Sequence, residues 1–138
     1  MNSPESRSFH CNAVYPTLAV PNVLEACEWY LECLGFTERF LWGDPPTHGA
    51  ILLDSACLHF WLGKPQLGAN WLYFDVNDLN TIYGRAKENN VRITRAPETY
   101  PWGMREFSAV DLNGIFIAEF SCLILYSVTA IAEPESPR

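Results

Sequence analysis

The stretch Val20-Pro21-Asn22-Val23 returns later in the chain as Val76-Asn77-Asp78-Leu79, and in both places a short apolar run meets the start of a helical pattern. In the first copy Asn22 opens the helix with Glu25 three residues on, an Asn version of the capping box. Val23, Ala26, Cys27, Tyr30, Leu31 and Leu34 follow at helical spacing, Glu25, Glu28 and Glu32 lie off that stripe, and Gly35 closes it as a C′ glycine should. In the second copy Asp78 is the cap, and Leu79, Ile82, Tyr83 and Ala86 carry the apolar stripe.

Working outward, an apolar segment from Val14 to Val20 precedes the first helix, and strand-like stretches Phe36–Phe40, Gly49–Asp54 and Cys57–Leu62 follow it. The last two are predicted to join through a tight turn at Ser55-Ala56. After a loop at Lys64–Ala69 the order repeats as strand Trp71–Val76, helix, and strands near Val91–Thr94, Arg105–Val110 and Ile115–Phe120. Asn113-Gly114 supplies the second hairpin turn. The expected fold is therefore α+β, two βαβββ repeats forming a curved mixed sheet around a concave cleft.

One domain spans 12–121, with repeat one at 12–63 and repeat two at 70–121. Residues 1–11 are read as a flexible tail, and 122–138 as an extra strand or arm followed by a disordered end. Apolar residues at 49% and charged residues at 18% of 138 residues suit one packed core. A net charge of −7 argues against nucleic acid or an anionic membrane as partner, since a phosphate-binding surface must supply positive charge. It favours cationic ligands over anionic ones, and plain solubility is the commoner reason for an acidic balance. No segment reaches the ~20 apolar residues needed to span a bilayer. Five cysteines without a CxxC read as buried reduced thiols in a cytoplasmic protein.

Two motif sets give the chain a family likeness. Val20-Pro21-Asn22-Val23, Glu28-Trp29-Tyr30 and Leu34-Gly35-Phe36 form one; Trp102-Gly103-Met104-Arg105-Glu106-Phe107 leading into Asp111-Leu112-Asn113-Gly114 forms the other. In this order and inside a doubled βαβββ pattern, they resemble the vicinal oxygen chelate superfamily, the glyoxalase, bleomycin-resistance and extradiol-dioxygenase group, over Val14 to Phe120. Leu112 departs from the family's usual proline.

Metal-dependent members place four ligands on the concave face, on the first and last strand of each unit. Carried over by that resemblance, the positions fall on Tyr15, His59, Trp71 and Ala118, with Glu119 next to the last. Only His59 is an ordinary metal ligand, and Glu119 could join it only through a one-residue change of register. The resemblance therefore implies a metal-free, bleomycin-resistance-like binder with no cofactor. It would sequester an aromatic or cationic ligand, bleomycin-like in type, at a homodimer interface. The alternative is a metal-dependent glyoxalase- or dioxygenase-like enzyme holding a divalent ion through His59 and Glu119; a third is a dimerisation or sensor module whose pocket is filled by side chains.

Strand alternation from Ala118 puts Phe116 and Phe120 toward the cleft or in the core, and groups Cys57, His59 and Trp61 on one face. The expected lining is Tyr15, Trp42, His59, Trp61, Trp71, Tyr73, Trp102, Arg105 and Ala118, with Trp42 and Trp102 on loops that close over it. Arg105 is favoured over Glu106 as an orienting contact, with a surface ion pair the other reading. His59 is open between ligand contact, proton acceptor and core histidine. His48 is placed in a solvated loop, and His10 with Cys11 in the tail with no matching partners. No GxSxG, P-loop or GxGxxG is present.

Overall fold

Asn22 Oδ1 accepts the Glu25 backbone N–H at 2.9 Å, and Gly35 follows in the left-handed region at φ 83°, so α1 (Val23–Leu34) starts and stops where its caps dictate. Asp78 caps α2 (Leu79–Glu88) through the Thr81 N–H at 3.2 Å, and Arg85 and Lys87 in its last turn suit the negative end of the helix dipole. The computed structural model describes residues 7–66, 70–112, 114 and 116–123.

Around these helices lie β1 (Thr17–Val20), β2 (Glu38–Trp42), β3 (His48–Leu53) and β4 (Ala56–Leu62), then β5 (Asn70–Asp75), β6 (Arg92–Thr99), β7 (Met104–Val110) and β8 (Phe116–Leu123). They form two mixed four-stranded sheets, ordered β1-β4-β3-β2 and β5-β8-β7-β6. In each, the first and last strands of the repeat pair in parallel and the others antiparallel. The doubled βαβββ unit is thus present as two separate sheets.

One face of each sheet packs under the helices. Leu58 and Phe60 of β4, Ile51 of β3, Leu72 and Phe74 of β5, Phe107 and Ala109 of β7, and Ala118 and Phe120 of β8 are all buried there with Val23, Cys27, Tyr30 and Leu34. Gly49 is required on that face. A Cβ on it would lie 2.8 Å from Val23 Cγ1 and 3.0 Å from Cys27 Sγ, so its bare backbone lets α1 sit directly on β3.

The two modules meet through their helices and inner aromatics. Arg85 donates to the carbonyls of Glu32 at 3.0 Å and Leu31 at 3.2 Å, supplying donors that the last turn of α1 lacks. Phe36 packs edge-on against Phe74, and the buried Tyr30 hydroxyl donates to Asp111 Oδ2 at 3.1 Å.

Three details differ from the sequence reading. The first hairpin turns at Asp54-Ser55, since Leu53 pairs with Ala56 and Asp54 takes the positive φ of 52°. Cys122 and Leu123 continue β8 and pair with β7 rather than beginning a separate arm. His48 is the first residue of β3, not part of a solvated loop, because the same register pairs it with Trp61. The expectations for residues 1–6, 67–69, Asn113, Ile115, 124–138 and the Phe116 side chain lie outside the described residues. No helix among the described residues is long and apolar enough to cross a membrane.

Candidate functional site

Alternation puts a second set of side chains on the helix-free face of each sheet. On the first sheet these are Phe40 and Trp42 of β2, His48 of β3, and His59 and Trp61 of β4, joined by Tyr15 from just before β1. Because Ala50 pairs with His59 and Trp61 with His48, the two histidines are diagonal neighbours. His48 Nε2 and His59 Nδ1 are 3.1 Å apart, one ring donating to the other. Tyr15 stacks on His59 at 5.3 Å, and Trp42 meets His48 edge-on at 5.3 Å. Phe40, Trp42 and Trp61 are each about half exposed, at 49%, 50% and 48%. Trp42 closes β2 rather than occupying a loop, and its direction follows from the strand.

The second sheet's helix-free face is polar in the middle and aromatic at its rim. Arg95 donates to Glu119 Oε2 at 2.6 Å and to Tyr100 Oη at 2.6 Å, with longer contacts to Ser108 Oγ at 3.4 Å and Glu106 Oε1 at 3.5 Å. Glu106 Oε2 also accepts from Ser121 Oγ at 3.2 Å and Tyr73 Oη at 3.3 Å. Trp71 and Tyr73 stand on β5 at 54% and 58% exposure, and Trp102, in the β6–β7 turn, stacks on Tyr100 at 4.9 Å.

The carboxyls of Glu106 and Glu119 are shifted apart. Burial pushes Glu119 up, and the hydrogen bond to Glu106 and its negative charge push the same way, against the pull of Arg95. For Glu106 burial also opposes ionisation, but hydrogen bonds from Glu119, Ser121 and Tyr73, with the charge of Arg95, outweigh it and hold its carboxyl low.

Two expected lining residues, Ala118 and Arg105, face elsewhere, and Phe120 takes the core side of its two readings. Ala118 is buried against the helices, because it pairs with Leu72 and Ala109 on that side, and Glu119 takes the open face. Phe120 likewise belongs to the core, stacked on Phe74 at 4.8 Å and Phe107 at 5.0 Å. Arg105 shares its strand parity with buried Phe107 and donates to Thr99 Oγ1 at 2.9 Å, leaving Glu106 on the open face. The arginine of the site is Arg95, which the sequence reading did not single out. Phe40, Tyr100 and His48 were missed as well.

The sequence profile of the glyoxalase/bleomycin resistance protein/dioxygenase superfamily matches residues 9–118. The chain belongs to that superfamily. Solved structures of similar fold include TioX from Micromonospora sp. ML1, at TM-score 0.71 and 18% identity over 82% of this chain and 99% of that one. A glyoxalase-related enzyme from Clostridium phytofermentans gives 0.71 and 20% over 86% and 100%. A glyoxalase/bleomycin resistance protein from Catenulispora Acidiphila DSM 44928 gives 0.63 and 24% over 78% and 95%. At these identities the likeness is one of fold. No curated protein matches the chain significantly.

The superfamily's metal-dependent members call for four ligands, and the residues here do not fit that set. Tyr15 lies stacked on His59, the Trp71 indole offers no donor pair, and Glu119 is engaged by a guanidinium at 2.6 Å. Among the described residues no group of three or more His, Cys, Asp or Glu side chains is arranged to hold a metal ion.

Proposed function

We propose that this superfamily member is a metal-independent small-molecule binding protein, which sequesters an aromatic or cationic ligand between helix-free sheet faces at a homodimer interface. The observation that carries the reading is the set of exposed aromatic side chains on those faces. Tyr15, Phe40, Trp42, Trp61, Trp71, Tyr73 and Trp102 are all about half exposed or more, while the core beneath is complete without them. Contiguous exposed apolar surface marks an interaction site, and flat aromatic walls suit planar or cationic groups. A second copy laid on one of these faces would cover the aromatics and leave a lined cleft. The net charge of −7 favours a cationic guest. The expectation of buried thiols holds for Cys27 and Cys33 only, since Cys57 and Cys122 are half-buried and Cys11 is exposed; that all five are unpaired supports a cytoplasmic setting.

Isothermal titration with metal-free bleomycin, followed in parallel by tryptophan fluorescence, tests the reading. Heat with a stoichiometry of one per chain and quenching are expected. Neither heat nor quenching would remove the antibiotic-type ligand and leave the fold untouched. A metal-dependent lyase or dioxygenase is the competing reading, favoured by one observation, that Glu119 stands on the open face as His59 does. Elemental analysis separates the two: stoichiometric Zn, Ni, Mn or Fe, lost on H59A or E119Q, would establish the enzyme reading.

A further inference from the structure

We infer that Arg95 is the resident cation of the second sheet: its guanidinium fills the place beside Glu119 and Glu106 that a divalent metal ion would otherwise take. The inference rests on the metal-independent reading and names the residue that enforces it.

Three observations carry it. First, the guanidinium is already a ligand to the cluster, with Glu119, Glu106, Ser108 and Tyr100 as partners. Glu119 Oε2 already has a guanidinium nitrogen at 2.6 Å, so a metal ion held at the usual ~2.0–2.2 Å from that oxygen would stand within ~5 Å of a full positive charge. Second, arginine stays charged at any physiological pH, so the place is never vacated by deprotonation.

Third, the strand is built to aim this side chain. The β6–β7 register shifts between Ile93 and Arg95 and again between Arg95 and Glu98, so Arg95 lies between two irregularities and pairs opposite Ser108. Such bulges re-aim a side chain that regular alternation would direct otherwise. Tyr100, stacked on Trp102, then holds the guanidinium from the rim.

Without the guanidinium, the face would present two carboxyls with Ser108, Ser121 and Tyr73 hydroxyls around them. That is an all-oxygen donor set, which suits a hard ion such as Mn²⁺ rather than a thiolate- or imidazole-seeking one.

The test is Mn²⁺ titration of the full chain, read by electron paramagnetic resonance. Wild type and R95K are expected to bind no stoichiometric Mn²⁺. R95M, with R95Q as the second variant, is expected to gain one ion per chain, and R95M/E119Q to lose it. If R95M and R95Q both keep the wild-type thermal transition yet take up no Mn²⁺, Arg95 is not what excludes the metal and the inference falls, with the binding reading intact. If wild type itself binds one ion that E119Q abolishes, the metal-independent reading falls with it.

Discussion

His48 Nε2 stands 3.1 Å from His59 Nδ1, on diagonal positions of adjacent strands, with Tyr15 stacked behind one ring and Trp42 edge-on to the other. The two imidazoles therefore act as one unit. Urea unfolding of H48A, H59A and the double variant should show a coupling energy of about 0.5–1.5 kcal/mol, the net worth of a partly buried hydrogen bond. Strict additivity of the two single effects would show that the rings are neighbours without being coupled.

The Tyr30–Asp111 hydrogen bond joins the first helix to the second module inside the core. Y30F removes a buried donor to a carboxylate and should cost about 1–3 kcal/mol in equilibrium unfolding. It should also change the alkaline limb. Burial, with the charge and hydrogen bond of Asp111, pushes the Tyr30 hydroxyl well above the ordinary tyrosine range. The unfolded chain loses that proton near pH 10 while the folded chain keeps it. Stability from this group is therefore intact below about pH 10 and declines as pH rises beyond it, a decline that Y30F should lack.

Two glycines should respond in opposite directions to the same substitution. G49A forces a methyl into Val23 and Cys27 and should destabilise by about 1–3 kcal/mol. In α2, a Cβ at Gly84 would meet nothing within 4 Å, so G84A should stabilise by roughly 0.5–1 kcal/mol through helix propensity alone. Thermal melts of the pair check both signs.

Adjacent residues on β8 make the register itself measurable. F120A removes a ring stacked between Phe74 and Phe107 and should cost about 3–5 kcal/mol. E119Q, one residue away on the open face, leaves those stacks untouched, and its chemical-denaturation midpoint should stay far closer to the wild type. Similar losses at both positions would contradict the facing described for this strand.

Element order and helix ends were legible in the sequence because local signals set them: Asn22, Asp78 and Gly35 each act within a few residues of their own position. The faces of β4 and β5 were legible too, since Leu58, Phe60, Leu72 and Phe74 alternate cleanly with His59, Trp61, Trp71 and Tyr73. Facing on β7 and β8 was not. On β8 a count carried across the Gly114 turn and off by one residue exchanges Ala118 for Glu119, and on β7 Arg105 and Glu106 are both charged, so no alternation of apolar and polar residues tells which of them faces the helices. His48 could have been found by counting back from a correctly placed Asp54-Ser55 turn. Arg95 could not, because its aim depends on two irregularities in β6 that no residue pattern announces.

Arg85 reaches across to the end of α1, Phe36 meets Phe74, and Tyr30 meets Asp111, so the halves of the molecule are held by side chains although no strand of one sheet pairs with a strand of the other among the described residues. Covalent continuity between β4 and β5 is then not what keeps them together. Produced as two separate polypeptides, the halves should find each other and reconstitute the native assembly, which makes this chain a natural scaffold for fragment complementation.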